Sequence, residues 1–174
     1  MRQTKKVTVS ALTVALSVVV MLIGFFFSVV DLTACALASL LVAFIYIEIG
    51  SPYTFLVWLC TSLTTAICFP GSVIWVEYLL IFGIYPILKA YIERLPRWVW
   101  WIPKLAYINA IIWLLALAMK LLGLEALFNG ETVFINIALY VLMNIAFVAY
   151  DLFLTVLIRF YLVKLQPRFK NLLK

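Results

Sequence analysis

The sequence predicts an all-α polytopic membrane protein, on three observations. The 174-residue chain is 68% hydrophobic and only 11% charged, whereas soluble domains run at roughly 45–50% apolar and about 25% charged. Its leading segment, residues 7–30 (VTVSALTVALSVVVMLIGFFFSVV), carries no charge and sits between Arg2, Lys5 and Lys6 on one side and Asp31 on the other. The remainder breaks into further long apolar stretches at Gly, Pro and charge clusters, without the short alternating segments of a membrane β-barrel.

Six spans follow in order. About 20 apolar residues, each rising ~1.5 Å, cross the ~30 Å hydrocarbon core of a bilayer. Residues 7–30 are long enough to cross with some tilt. They exceed the roughly 7–15 apolar residues of a signal peptide and end without a small-residue cleavage site, so they read as a retained helix. The second span, 32–49, ends in the corner Glu48-Ile49-Gly50 before Pro52. The third, 53–69, is stopped by Pro70-Gly71. The fourth, 72–91, contains Gly83-Ile-Tyr-Pro86, where proline is expected to kink the helix. The fifth, 103–122, opens on Pro103, a residue tolerated in a first turn. The sixth, 132–163, is longer than a bilayer needs, so its end projects or tilts. The first connections are short and predict antiparallel neighbours. No repeat, soluble domain or low-complexity tract interrupts this single six-helix domain, residues 1–174.

Charge fixes the expected orientation. Net charge is +6, with 13 Lys and Arg. All of these except Lys120 fall near one predicted face, as the positive-inside rule requires. Attraction to anionic lipid works in the same direction. Both termini are then cytoplasmic, and the outer loops hold Asp31, Glu125 and Glu131. This pattern speaks for a bilayer, here a bacterial plasma membrane, and against a nucleic-acid partner. The inner loop 92–102 carries Arg94, Arg97, Trp98, Trp100 and Trp101, the composition of a segment lying at the membrane surface. Cys35, Cys60 and Cys68 form no CxxC and read as small apolar residues. Histidine is absent, which removes the usual zinc, haem and triad chemistry. No cofactor or metal is expected.

Polar residues inside the spans are the candidate site, because ionisable groups at membrane depth default to function. Glu77, flanked by Trp75 and Tyr78, either faces an outer water-filled cavity or reaches headgroup water. Asn109, Trp113, Ala116 and Lys120 share one face of the fifth span. Lys120 either pairs with a carboxylate or snorkels. Asn136, Tyr140 and Asn144 form a stripe on the sixth span, serving as ligand contacts or as helix-to-helix glue. Lys89 and Asp151 lie near the inner boundary and suggest an ion pair between spans four and six, with a proton relay as the other reading. On the first span Ala11 and Ala15 stack on one face, a flat seam that lets a partner backbone approach or is buried within the monomer.

No GxSxG, HExxH, P-loop or GxGD-type aspartate pair occurs, so the chain is not read as an enzyme. The basic start, ALTVALSVVVMLIG, the short turn at Asp31 and the Ala-rich second span ending at Glu48-Ile-Gly50 resemble another pattern. It is that of the S component, the substrate-capturing membrane subunit, of energy-coupling factor (ECF) vitamin transporters. Those proteins have six helices, cytoplasmic ends and an AxxxA motif on the first helix, here Ala11 to Ala15.

The resemblance implies a pocket near the outer face for a small vitamin-like ligand. It implies docking of the first helix on a transmembrane coupling subunit driven by two ATPase subunits. Trp75, Glu77, Tyr78, Trp113, Lys120, Asn136, Tyr140 and Asn144 are the expected substrate-binding residues, and Ala11 and Ala15 the docking residues. The aromatic and amide groups suit a flat heterocycle in a mostly apolar cavity. Two other readings compete. One is a membrane scaffold similar in size and helix count to the rod-shape protein of bacterial cell-wall assembly, with a filled interior. The other is a small membrane enzyme or independent transporter, with a hydrated path from Glu77 to Asp151.

Overall fold

The computed structural model describes residues 3–27, 30–121 and 133–166, and the described residues are helical with no strand. The helices are α1 (Gln3–Phe26), α2 (Asp31–Glu48), α3 (Ser51–Cys68), α4 (Ile74–Glu77), α5 (Tyr85–Ile92), α6 (Trp101–Leu121) and α7 (Val133–Phe160). A π turn, Tyr78–Phe82, extends α4, and another, Tyr161–Leu165, extends α7. Among the described residues, four helical stretches are long and apolar enough to cross a membrane: Gln3–Phe26, Asp31–Glu48, Ile74–Ile92 and Ile137–Lys164. Trp101–Leu115 is a shorter apolar helix. In α3 the hydroxyls of Thr61, Ser62, Thr64 and Thr65 dilute the apolar content.

The chain divides into two compact units. One comprises Met1–Tyr91 with Leu154–Lys174, the other Ile92–Phe153. In the first unit α1, α2 and α3 alternate in direction. Gly24 near the end of α1 meets Ala34 at the start of α2, where an added Cβ would lie 2.7 Å from the Ala34 Cβ. Phe25 stacks on Phe69 at 4.7 Å at that same end. At the opposite end the Tyr53 hydroxyl donates to Gln3 Oε1 at 2.8 Å. Lys6 Nζ lies 5.7 Å over the Tyr53 ring. Tyr91 meets Ser51 at 3.2 Å, and the Tyr161 hydroxyl donates to Glu48 at 2.9 Å. Gln3 and Tyr161 therefore share the end of this unit at which α2 joins α3.

The α1 surface that packs inward is Ser10, Thr13, Ser17, Met21 and Gly24, at helical spacing. Small side chains let apolar helices approach closely where no hydrophobic drive separates protein from lipid. Several hydroxyls of this unit are satisfied locally. Thr13 donates to Val9 O, Thr54 to Gly50 O, Ser62 to Trp58 O and Thr65 to Thr61 O, all at 2.8–2.9 Å. Each thus satisfies its donor on its own helix. Cys35 is buried among these helices, whereas Cys60 and Cys68 are exposed on α3.

Gly50 caps α3 with φ +108 and ψ 173, a backbone region essentially restricted to glycine. No atom lies within 4 Å of an added Cβ there, so a substitution is opposed by backbone strain alone. Gly50→Ala is expected to destabilise the fold by about 1–3 kcal/mol, read by thermal unfolding in detergent. An unchanged midpoint would rule out the strained corner.

The kink expected at Pro86 is present. Proline offers no N–H to the carbonyl four residues back, and its ring crowds that turn. The helix is interrupted at residues 83–84 between the π turn and α5. The Trp58 indole N–H donates to Leu79 O at 3.2 Å, serving a carbonyl of the widened turn.

In the second unit a 3₁₀ turn, Arg97–Val99, links residue 92 to α6. The Trp100 indole donates to Leu95 O at 2.6 Å, while Trp98 is 96% exposed. Ile108, Ile111 and Phe147 are buried, and the Tyr107 and Phe147 rings lie 6.3 Å apart.

Candidate functional site

In the first unit Trp75, Glu77 and Tyr78 lie at the start of the broken helix that begins at Ile74. Tyr78 is fully buried, and Trp75 and Glu77 are half-buried. Among the described residues, Trp75 Nε1 and Glu77 Oε2 are buried atoms without a hydrogen-bond partner, while the buried Tyr78 hydroxyl faces that of Thr61. The hydroxyl oxygens of Ser10 and Ser17 are likewise without a partner among the described residues. Thr61 stands three residues beyond Trp58, on the face of α3 that packs on the π turn. Cys35 lies close by, its thiol donating to Ile74 O at 3.6 Å. Unmatched polar atoms in an apolar interior cost about 1–3 kcal/mol each. These atoms lie on α4, its π turn and the helices α1 and α3. The groups present offer an acceptor at Glu77, a donor at Trp75 and hydroxyls that do either.

The second unit holds two polar clusters. Asn109 Oδ1 on α6 accepts from the Tyr140 hydroxyl and, at 3.3 Å, from Asn144 Nδ2 on α7. Asn109 Nδ2 donates to Leu105 O at 2.8 Å, and Asn144 Nδ2 also reaches Tyr140 O at 3.0 Å. The predicted stripe on the last span thus meets the predicted face of the preceding one through a shared amide. Trp113, one turn beyond Asn109, is 74% exposed. The side chains of Ala116, Lys120 and Asn136 lie outside the described residues, as do Glu125 and Glu131.

The other cluster is ionic. Lys104 Nζ contacts Asp151 Oδ2 at 2.8 Å, Asp151 Oδ1 at 3.0 Å and Glu93 Oε1 at 3.2 Å. It lies 5.7 Å over the Trp100 ring and 5.6 Å over that of Trp101. Lys104 is 3% and Asp151 2% exposed. The sequence reading expects Asp151 in an ion pair, and the structure gives it one with Lys104, which holds both carboxylate oxygens. Lys89 Nζ donates to the Thr155 hydroxyl at 2.8 Å in the first unit. Sequence reasoning gave Lys104 no role. The signal that would have found it is its position one residue after Pro103, inside the first turn of α6, where its side chain belongs to a helix.

Trp75, Glu77 and Tyr78 belong to the first unit, and Trp113, Tyr140 and Asn144 to the second. On α1 the residues that pack inward exclude Ala11 and Ala15, both of which are exposed. Leu12 beside them is 70% exposed. Comparison of the chain with protein-family models, curated proteins and solved structures finds no match.

Proposed function

We propose that this chain is the substrate-capturing membrane subunit of an ECF-type vitamin or micronutrient importer. In this reading it spans the membrane six times with both termini cytoplasmic. It binds a small ligand near the outer face and docks through α1 on a coupling subunit, while two ATPase subunits supply the energy and the chain itself hydrolyses nothing. The observation that carries the reading is the division of labour on α1. Ser10, Thr13, Ser17, Met21 and Gly24 serve internal packing, and Ala11 and Ala15 are left exposed on the same helix. Two alanines four residues apart leave a shallow surface on which another helix backbone gains close packing. The buried Trp75 and Glu77 polar atoms and the Asn109–Tyr140–Asn144 cluster support a ligand with hydrogen-bonding edges.

Ala15→Trp and Ala11→Trp fill that surface without touching the packed face. Each is expected to cut recovery of the coupling subunit in affinity co-purification at least about tenfold, equivalent to roughly 1.4 kcal/mol, with an unchanged thermal midpoint. Equal recovery of the complex rejects docking through this seam. Mass spectrometry of the purified protein is expected to find a retained small heterocyclic molecule.

One observation favours the scaffold reading: in the first unit Tyr78, Thr61 and Ser17 are fully covered. A scaffold retains no small molecule and keeps its partners when the α1 alanines are replaced, so the same two measurements separate the readings.

A further inference from the structure

A cleft of about 270 Å³ runs between α2 and the C-terminal part of α7 in the first unit. Leu40, Ala43 and Phe44 form one wall and Leu157, Phe160 and Tyr161 the other. The only polar side-chain atom in the lining, the Tyr161 hydroxyl, is committed to Glu48 Oε1 at 2.9 Å. The Tyr161 ring meets Phe44 edge-on at 5.5 Å. A polar small molecule therefore finds nothing to bond inside. The cleft also does not enclose a whole turn of a partner helix or of a second copy's helix. One turn with side chains, ~5.4 Å tall and at least ~10 Å across, occupies over about 400 Å³. A single unbranched hydrocarbon chain has the required shape. Both walls belong to helices long and apolar enough to cross a membrane, so a bilayer offers such chains at high local concentration.

The rim adds the chemistry. Lys164 Nζ lies 5.5 Å over the ring of Phe160, a wall residue. Lys164 stands four residues beyond Phe160 and reaches back over that ring from the π turn. Glu48 ends the α2 wall with its carboxylate held by Tyr161. A cation and an anion thus stand beside the mouth of one apolar cleft. We propose that the cleft holds one acyl chain of a glycerophospholipid, with the phosphate against Lys164 and a hydrogen-bond-donating head group against Glu48. Ethanolamine and glycerol head groups supply such a donor, and choline supplies none. This inference stands apart from the transport reading, since it uses neither α1 nor the polar clusters.

The test uses the full chain in nanodiscs of phosphatidylcholine mixed with phosphatidylethanolamine or with phosphatidylglycerol. Lipid retained after detergent release is counted by native mass spectrometry. One retained lipid per chain is expected, with the ethanolamine or glycerol lipid enriched about tenfold over choline, the equivalent of one charge-assisted hydrogen bond. Glu48→Gln should erase that preference. Lys164→Gln should lower retention of every phospholipid by about tenfold on the same basis. Ala43→Phe, which fills the cleft, should abolish retention. Lys164 is exposed, so its variant decides the question even where Ala43→Phe fails to fold. Equal retention by wild type and Lys164→Gln overturns the proposal. So does phosphatidylcholine held as well as the other two, or a dimer that occupies the cleft and dissociates in Ala43→Phe.

Discussion

Lys104→Met is expected to lower stability by about 3–5 kcal/mol, because it removes the ammonium shared by both oxygens of a carboxylate that is 2% exposed. Methionine keeps most of the apolar stem and its contact with Trp100 and Trp101, so lost volume is a minor part of the effect. Glu93, also in contact with Lys104, is 30% exposed at its side chain and regains water. Asp151 does not. The measurement is unfolding by graded denaturing detergent, followed by helicity. The diagnostic companion is Lys104→Met with Asp151→Leu, which removes both buried charges together. Buried ion pairs are often replaceable by apolar residues at little cost even though breaking one is expensive. The double variant should therefore recover most of the loss. A single variant that costs under about 1 kcal/mol, in the range of an exposed ion pair, would mean that Asp151 is not committed to Lys104.

Gly83→Ala carries the other large effect. An added Cβ would lie 2.6 Å from Trp58 Cδ1, 2.8 Å from Tyr78 O and 2.9 Å from Tyr78 Cε1. Tyr78 is fully buried, and its carbonyl accepts the Gly83 N–H at 2.7 Å, so neither group yields cheaply. The Trp58 ring is itself pinned through its bond to Leu79 O. Overpacking of this kind costs about 1–3 kcal/mol, and loss of the indole hydrogen bond about 0.5–1.5 more. A loss of about 2–4 kcal/mol and a red shift of tryptophan emission are expected. Gly71→Ala is the matched control, since nothing lies within 4 Å of its added Cβ. Equal behaviour of the two variants would show that α3 does not press on the broken helix.

Much of the helix plan was legible because it rests on local rules. Uninterrupted apolar length placed α1, α2 and α7, Gly50 and Pro52 placed the start of α3, and Pro86 placed the break after the π turn. Long-range pairing was less legible. Spacing showed that Asn136, Tyr140 and Asn144 share a stripe, but only the fold showed Asn109 receiving two members of it. Residue counting set Asp151 near the depth of Lys89 but gave no azimuth, so the two-oxygen contact with Lys104 was not legible. On α1 the Ala11–Ala15 pair was prominent in sequence, yet the packed face runs through Ser10, Thr13 and Ser17. Hydroxyl residues were passed over there because their polarity disguises how well they serve as small spacers. The direct bond between α5 and α7, Lys89 to Thr155, joins residues 66 apart and left no local trace.

The hydroxyls of Thr13, Thr54, Ser62 and Thr65 each close a ring on the preceding turn of their own rod. Sliding one rod along its neighbour therefore ruptures none of these four bonds, and the crosswise tie between α1 and α3 sits at one end, at Tyr53 and Gln3. The Asn109–Tyr140 and Lys104–Asp151 bonds run crosswise and must break before α6 and α7 can shear. Mechanical compliance should accordingly concentrate among α1, α2 and α3, with α6 and α7 moving as a stiff pair.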